Sequence, residues 1–250
     1  MPMRTTITYA CINAVGSLRK NNEDNFFVQG RFRRQEETED LAFSGSFTSK
    51  ERETLAIFDG MGGEACGETA SLLAASGIAG FPFPEKNPEK EIKELIEKLN
   101  HSVCAYAEAN GINGMGSTAV GVHFGKRHCQ VFHCGDSRAY LIRKGQLNRL
   151  TTDQSAPAMG ERKGPLLQYL GLKEYRLDPG YSEIEYRDGD KILLCSDGLT
   201  DMVPDQDIQA ILETEKNPEQ QAADLYIRAM QNGGRDNVTI ILCQIKKTLF

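Results

Sequence analysis

Four short segments each set an aspartate beside an apolar run. Gly16-Ser17-Leu18-Arg19-Lys20-Asn21-Asn22-Glu23-Asp24 leads into a strand that begins at Asn25. Ile57-Phe58-Asp59-Gly60-Met61-Gly62-Gly63 reads as a strand that ends in an aspartate, followed by a glycine-rich turn. Leu193-Leu194-Cys195-Ser196-Asp197-Gly198-Leu199 repeats the pattern, and Gly233-Gly234-Arg235-Asp236-Asn237 leads into the apolar Val238–Leu242. A carboxylate at the edge of an apolar strand is poorly solvated, and several together repel one another; cations resolve both problems. Hard oxygen ligands select Mg²⁺, Mn²⁺ or Ca²⁺ over zinc or copper. The glycines after Asp59 and Asp197 permit tight turns and close backbone approach, so that a carbonyl can join the ligands. Taken singly, each Asp-Gly is a common turn pair, and Asp188-Gly189 is such a case. Four at strand edges point to one shared cation centre.

The elements that must position these groups are legible from periodicity. Strands are expected over Thr5–Ile12, Asn25–Gln29, Glu53–Phe58, Ser117–Phe124, His128–Cys134, Ala139–Arg143, Lys191–Cys195 and Asn237–Ile245, all rich in β-branched and aromatic residues. Lys144-Gly145 and Asp188-Gly189 read as hairpin turns. Helices are expected over Glu64–Ala79, Pro88–Asn110, Asp205–Glu213 and Asn217–Gln231, the second with Ile92, Leu95, Ile96, Leu99 and Val103 at helical spacing. Strands in succession with helices grouped between them favour an α+β layered sandwich over a doubly wound sheet.

Bulk properties narrow the function. The net charge of −6, with no basic stripe, speaks against a nucleic-acid partner and against a two-metal nuclease. No run approaches the ~18 apolar residues of a membrane span, and the start of the chain has no apolar signal core. Seven scattered cysteines without a Cys-x-x-Cys pair argue for a reducing compartment, the cytoplasm, and against a disulfide framework or a zinc site.

These motifs resemble those of the metal-dependent protein phosphatases of the 2C type (the PPM family), in their bacterial form. Gly116-Ser117-Thr118-Ala119, Gly135-Asp136-Ser137-Arg138 and Leu150-Thr151-Thr152-Asp153-Gln154-Ser155 extend the match, in family order, over nearly the whole chain. The resemblance implies one domain over 1–250: a four-layer α-β-β-α sandwich, two antiparallel sheets flanked by helix pairs. It implies two Mg²⁺ or Mn²⁺ ions bridged by a water that serves as hydroxide, and hydrolysis of phosphoserine and phosphothreonine in proteins. Asp59 would bridge both ions, with the Gly60 carbonyl on one. Asp197 and Asp236 would complete one shell, while Asp24 and Glu23 would hold the other ion, partly through water. Asp136 matches a residue of a weaker third site, Arg19 the grip on the substrate phosphate, and Asn237 a supporting residue. The resemblance also implies phosphoprotein substrates made by a cognate serine/threonine kinase; a monomer is the default.

Two departures qualify this. Met61 stands where some members carry a histidine that protonates the leaving group. None of the four histidines (101, 123, 128 and 133) falls in a metal motif, and the last three read as structural. The segment at about 156–169, a mobile flap in bacterial relatives, is short, with Glu161 its one acid. A reduced flap and altered specificity are expected. Two other readings remain open: a phosphatase of small phosphorylated molecules, and a catalytically weak regulatory or binding relative. The presence of Asp24, Asp59, Asp197, Asp236 and Arg19 argues against the second.

Overall fold

The computed structural model describes residues 3–62, 66–79, 81, 87–158, 164–173 and 176–249. In chain order its first half comprises β1 (Met3–Ala14), β2 (Asp24–Val28), β3 (Leu41–Thr48), β4 (Thr54–Met61), α1 (Cys66–Ile78), α2 (Pro88–Ala109), β5 (Gly116–Ser117) and β6 (Ala119–Phe124). The second half comprises β7 (His128–Cys134), β8 (Arg138–Arg143), β9 (Gln146–Arg149), β10 (Gly180–Glu185), β11 (Lys191–Cys195), α3 (Asp197–Thr200), α4 (Asp205–Leu212), α5 (Pro218–Gln231) and β12 (Val238–Leu249).

The strands form two antiparallel sheets, one ordered β3-β1-β12-β11-β8-β9, the other β10-β7-β6-β4-β2 with β5 against β4. Alternation along the central strands explains their near-continuous apolar runs, because both faces are buried. Leu55 and Ile57 enter the core between the sheets, whereas Ala56 and Phe58 face the side of α1 and α2. Ile241 and Cys243 likewise point inward, while Ile240 and Leu242 pack with Ile208, Leu212 and Leu225 of α4 and α5. Helix pair, sheet, sheet, helix pair are therefore the four layers anticipated.

The helices start where their chemistry dictates. Asn217 caps α5 in a reciprocal box with Gln220, and Pro218 holds the first helical position. Ile92, Leu95, Ile96, Leu99 and Val103 of α2 are all buried on one face. Among the described residues no helix is long and apolar enough to cross a membrane. All seven cysteines are unbridged, five of them buried.

Several expectations need correction. β3, β9 and β10 are absent from the sequence reading; each lies at a sheet edge, where a polar outer face dilutes the apolar signal. β4 does not end at Asp59 but runs on to Met61, exchanging β6 for β5 as its partner. Gly60 and Gly198 consequently serve close approach rather than turns. A Cβ on Gly60 would meet the Gly67 carbonyl oxygen at 2.1 Å, and one on Gly198 that of Asn237 at 2.0 Å. Asp197 opens the short helix α3. Lys144-Gly145, both at positive φ, do close the β8–β9 hairpin. Asp188-Gly189 forms no hairpin, because β10 and β11 belong to different sheets. Glu161 and the rest of 159–163 lie outside the described residues.

Candidate metal centre

Two strand pairs deliver the acids. In the β2–β4 register Asp24 stands directly opposite Asp59. From the other sheet, β11 ends just before Asp197, and β12 begins just after Asp236 and Asn237. Glu23, Asp59, Asp136, Asp197 and Asp236 line one cleft of about 370 Å³, together with Arg19, Gly60, Met61 and Thr118. Gly164 and Leu166, from the segment expected to form the flap, close part of its wall. Asp24 is set apart from the rest: 2% exposed, it lies behind this cleft and borders a separate, smaller cavity.

Mutual repulsion is the electrostatic mark of the cleft. Burial, then the charges of Asp24, Asp197, Asp136 and Asp236, push the Asp59 carboxyl well above the usual carboxylate range. Asp24 is pushed up to about 7, chiefly by burial, against the pull of hydrogen bonds from Thr239 and Ser196. Glu23 is raised by burial, with Arg19 opposing and Glu68 and Asp236 adding to the rise. Such a set favours added positive charge. Its all-oxygen chemistry suits Mg²⁺ or Mn²⁺, and the Gly60 backbone, with no room for a side chain, leaves a carbonyl close to Asp59. Among the described residues no three acidic, histidine or cysteine side chains stand already disposed as a closed cage. Arg19 Nη2 lies 2.6 Å from Asp236 Oδ2 and so pairs with one of the acids.

The loop carrying Arg19 is stitched to the turn before β12. Asn237 Oδ1 accepts from the Glu23 backbone N–H at 2.8 Å, and its Nδ2 donates to the carbonyls of Val15 and Asn21, each at 2.9 Å. Gly16, at φ +79°, lies so close to Asp236 that a Cβ would meet its carbonyl oxygen at 2.1 Å. Asn237 thus holds the loop and both acids in register. Asp136 is 6% exposed and follows Gly135, whose φ of +115° turns the chain into the cleft.

Sequence reasoning missed the hydroxyls. Thr118 Oγ1 accepts from the Asp59 backbone N–H at 3.1 Å and pairs with Ser137 Oγ at 2.7 Å, tying the two motifs together. Ser196 and Thr239 both bond the Asp24 carboxylate. Ser196 and Thr239, and also Asn13 in β1, are fully buried, a property that the sequence beside their apolar runs does not mark.

Comparison with known proteins follows this geometry. A family described as Stage II sporulation protein E (SpoIIE) matches residues 50–246. A serine/threonine phosphatase, stp, of Listeria welshimeri is 30% identical over 92% of this chain and 92% of its own. The serine/threonine protein phosphatase PstP of Mycobacterium tuberculosis is also 30% identical, over 96% of this chain but 45% of that longer protein. A crystal structure of a PstP catalytic domain in complex with two manganese ions, 29% identical, superposes with a TM-score of 0.78 over 97% of this chain and 99% of that one.

Proposed function

The chain belongs to the SpoIIE family of PP2C-like serine/threonine phosphatases, and on that premise we propose a role for each acid of its cleft. The protein is a metal-dependent hydrolase of phosphoserine and phosphothreonine in proteins, working with two Mn²⁺ or Mg²⁺ ions. Asp59 would serve both ions and the Gly60 carbonyl one of them. Asp197 and Asp236 would complete the ligands of one ion, while Asp24 and Glu23 would hold the other, partly through water. Asp136 offers a weaker third position. Such ions, when bound, bring the pKa of a water towards neutrality and offset phosphoryl charge.

The residues of this chain do the rest. Arg19, exposed at the mouth and carried on a loop that Asn237 pins, can leave Asp236 and donate two parallel hydrogen bonds to a phosphate. Met61 lines the cleft and offers no proton, so the leaving oxygen is not protonated from that position. The substrates are phosphoproteins made by a partner serine/threonine kinase, and the protein acts as a monomer. Seven unbridged thiols suit the cytoplasm.

One observation carries this reading: Asp59 stands opposite Asp24 and shares one cleft with Asp136, Asp197 and Asp236, a concentration of carboxylates that bound divalent cations would relieve. Purified protein should hydrolyse an aryl phosphate and phosphoserine or phosphothreonine peptides with Mn²⁺ and stop with a chelator. Asp59→Asn should lose turnover by at least about a thousandfold while keeping its circular dichroism and, with both proteins in chelator, the wild-type melting temperature. Activity that survives the chelator, or a fully active Asp59→Asn, would refute the assignment.

A further inference from the structure

The carboxylate of Asp24 is gripped from behind, and the grip has a direction. Ser196 Oγ and Thr239 Oγ1 each lie 2.7 Å from the same oxygen, Oδ2. Both hydroxyl residues are fully buried, and Asp24 is 2% exposed. Each hydroxyl has one proton, and its other neighbour decides where that proton points. The Thr239 backbone N–H donates to Ser196 Oγ at 3.0 Å. Asn13 Nδ2 donates to Thr239 Oγ1 at 2.8 Å. Both oxygens already receive a hydrogen, so each turns its own towards Asp24.

The Asn13 amide is itself oriented. Its Oδ1 accepts from Arg33 Nε at 2.5 Å and from Asn22 Nδ2 at 3.1 Å, and a flipped amide would set donors against donors. Arg33 is 6% exposed and directs Nη1 to the carbonyl of Glu37 and Nη2 to those of Asn13 and Glu39. A directed chain of hydrogen bonds therefore runs from a buried cation through Asn13 and Thr239 to Asp24, crossing from one sheet to the other.

We propose that Thr239 and Ser196 are positioning residues of the metal centre, holding the Asp24 carboxylate in one orientation towards the second ion. Burial alone works against a carboxylate. Two hydroxyls committed to one oxygen offset that cost and stop rotation of the group. The inference rests on the assignment of Asp24 to that ion.

Calorimetric titration of the full chain with Mn²⁺ tests it, on wild type, Thr239→Val, Thr239→Ser and Ser196→Ala, with melting temperatures recorded alongside. Thr239→Val should weaken one of the two ions about 10- to 100-fold and leave the other near wild type, while Thr239→Ser returns to within about threefold. Ser196→Ala should weaken the same ion, and it decides the matter if Thr239→Val does not fold. Wild-type affinity in folded Thr239→Val, or a Thr239→Ser as weak as the valine variant, overturns the positioning role. Wild type that takes up no Mn²⁺ instead overturns the metal-centre reading, and this inference with it.

Discussion

The Arg19–Asp236 contact links two roles that the sequence could list but not connect. A guanidinium at 2.6 Å from a metal-assigned carboxylate competes with the ion for the same oxygen. Arg19→Lys keeps the charge but loses the planar fork. Steady-state kinetics should show kcat/KM down roughly a hundredfold, with calorimetric Mn²⁺ affinity no weaker than wild type. A metal affinity that fell with the activity would give Arg19 a different role. His123 makes a second residue-scale case. It is 3% exposed, with Nδ1 2.9 Å from Thr54 Oγ1, and burial, aided by Arg52, lowers its pKa to about 4. The folded state keeps the imidazole neutral, whereas the unfolded chain protonates it near 6.5. Its contribution is complete above about pH 6.5 and is lost as pH falls towards 4, a swing on the order of 3 kcal/mol. Titration by NMR should place the imidazole near 4, and urea midpoints of His123→Gln should fall less steeply over that window. The aspartates were readable because Asp-Gly and Asp-Asn punctuate apolar strands. The hydroxyls of Thr118, Ser196 and Thr239 were not, because a buried threonine and a strand-forming threonine look alike until a partner stands opposite.

At the scale of elements, periodicity located the central strands because both their faces are apolar. It missed β3, β9 and β10, whose Ser, Asn, Gln and Glu residues face outward at the edges. The strand expected over Glu53–Phe58 stopped three residues short of Met61, since Asp-Gly spells a turn whenever no second strand is known to continue the ladder. Helix starts were better marked. Asn217 accepts from the Gln220 N–H at 2.9 Å and Pro218 follows it. Asn217→Ala should cost about 1 kcal/mol, a drop of roughly 2–4 °C in melting temperature, with Mn²⁺-dependent turnover unchanged. A change in activity would couple α5 to the cleft, contrary to the layered packing.

For the molecule as a whole, the acids come from both sheets, Asp59 from one and Asp197 and Asp236 from the ends of strands in the other. Ions bound there would join the two layers, so each Mn²⁺ at a hundredfold excess over its dissociation constant should add about 2.7 kcal/mol of stability. Scanning calorimetry should show the melting transition fall on chelation as one cooperative step; a transition indifferent to chelator would place the ions elsewhere. The four-layer arrangement was accessible from the ordered motifs, whereas the pairing of β1 with β12 along twelve residues was not, as nothing local announces a partner more than two hundred positions away. That long pairing sets Met3 beside Leu249, at the far end of strands whose other end holds the loops of the cleft. The separation is roughly 36 Å at the rise of an extended chain. A short linker joining Met3 directly to Leu249 would thus lie away from the mouth and would let the chain be reopened at a surface loop with the catalytic face untouched.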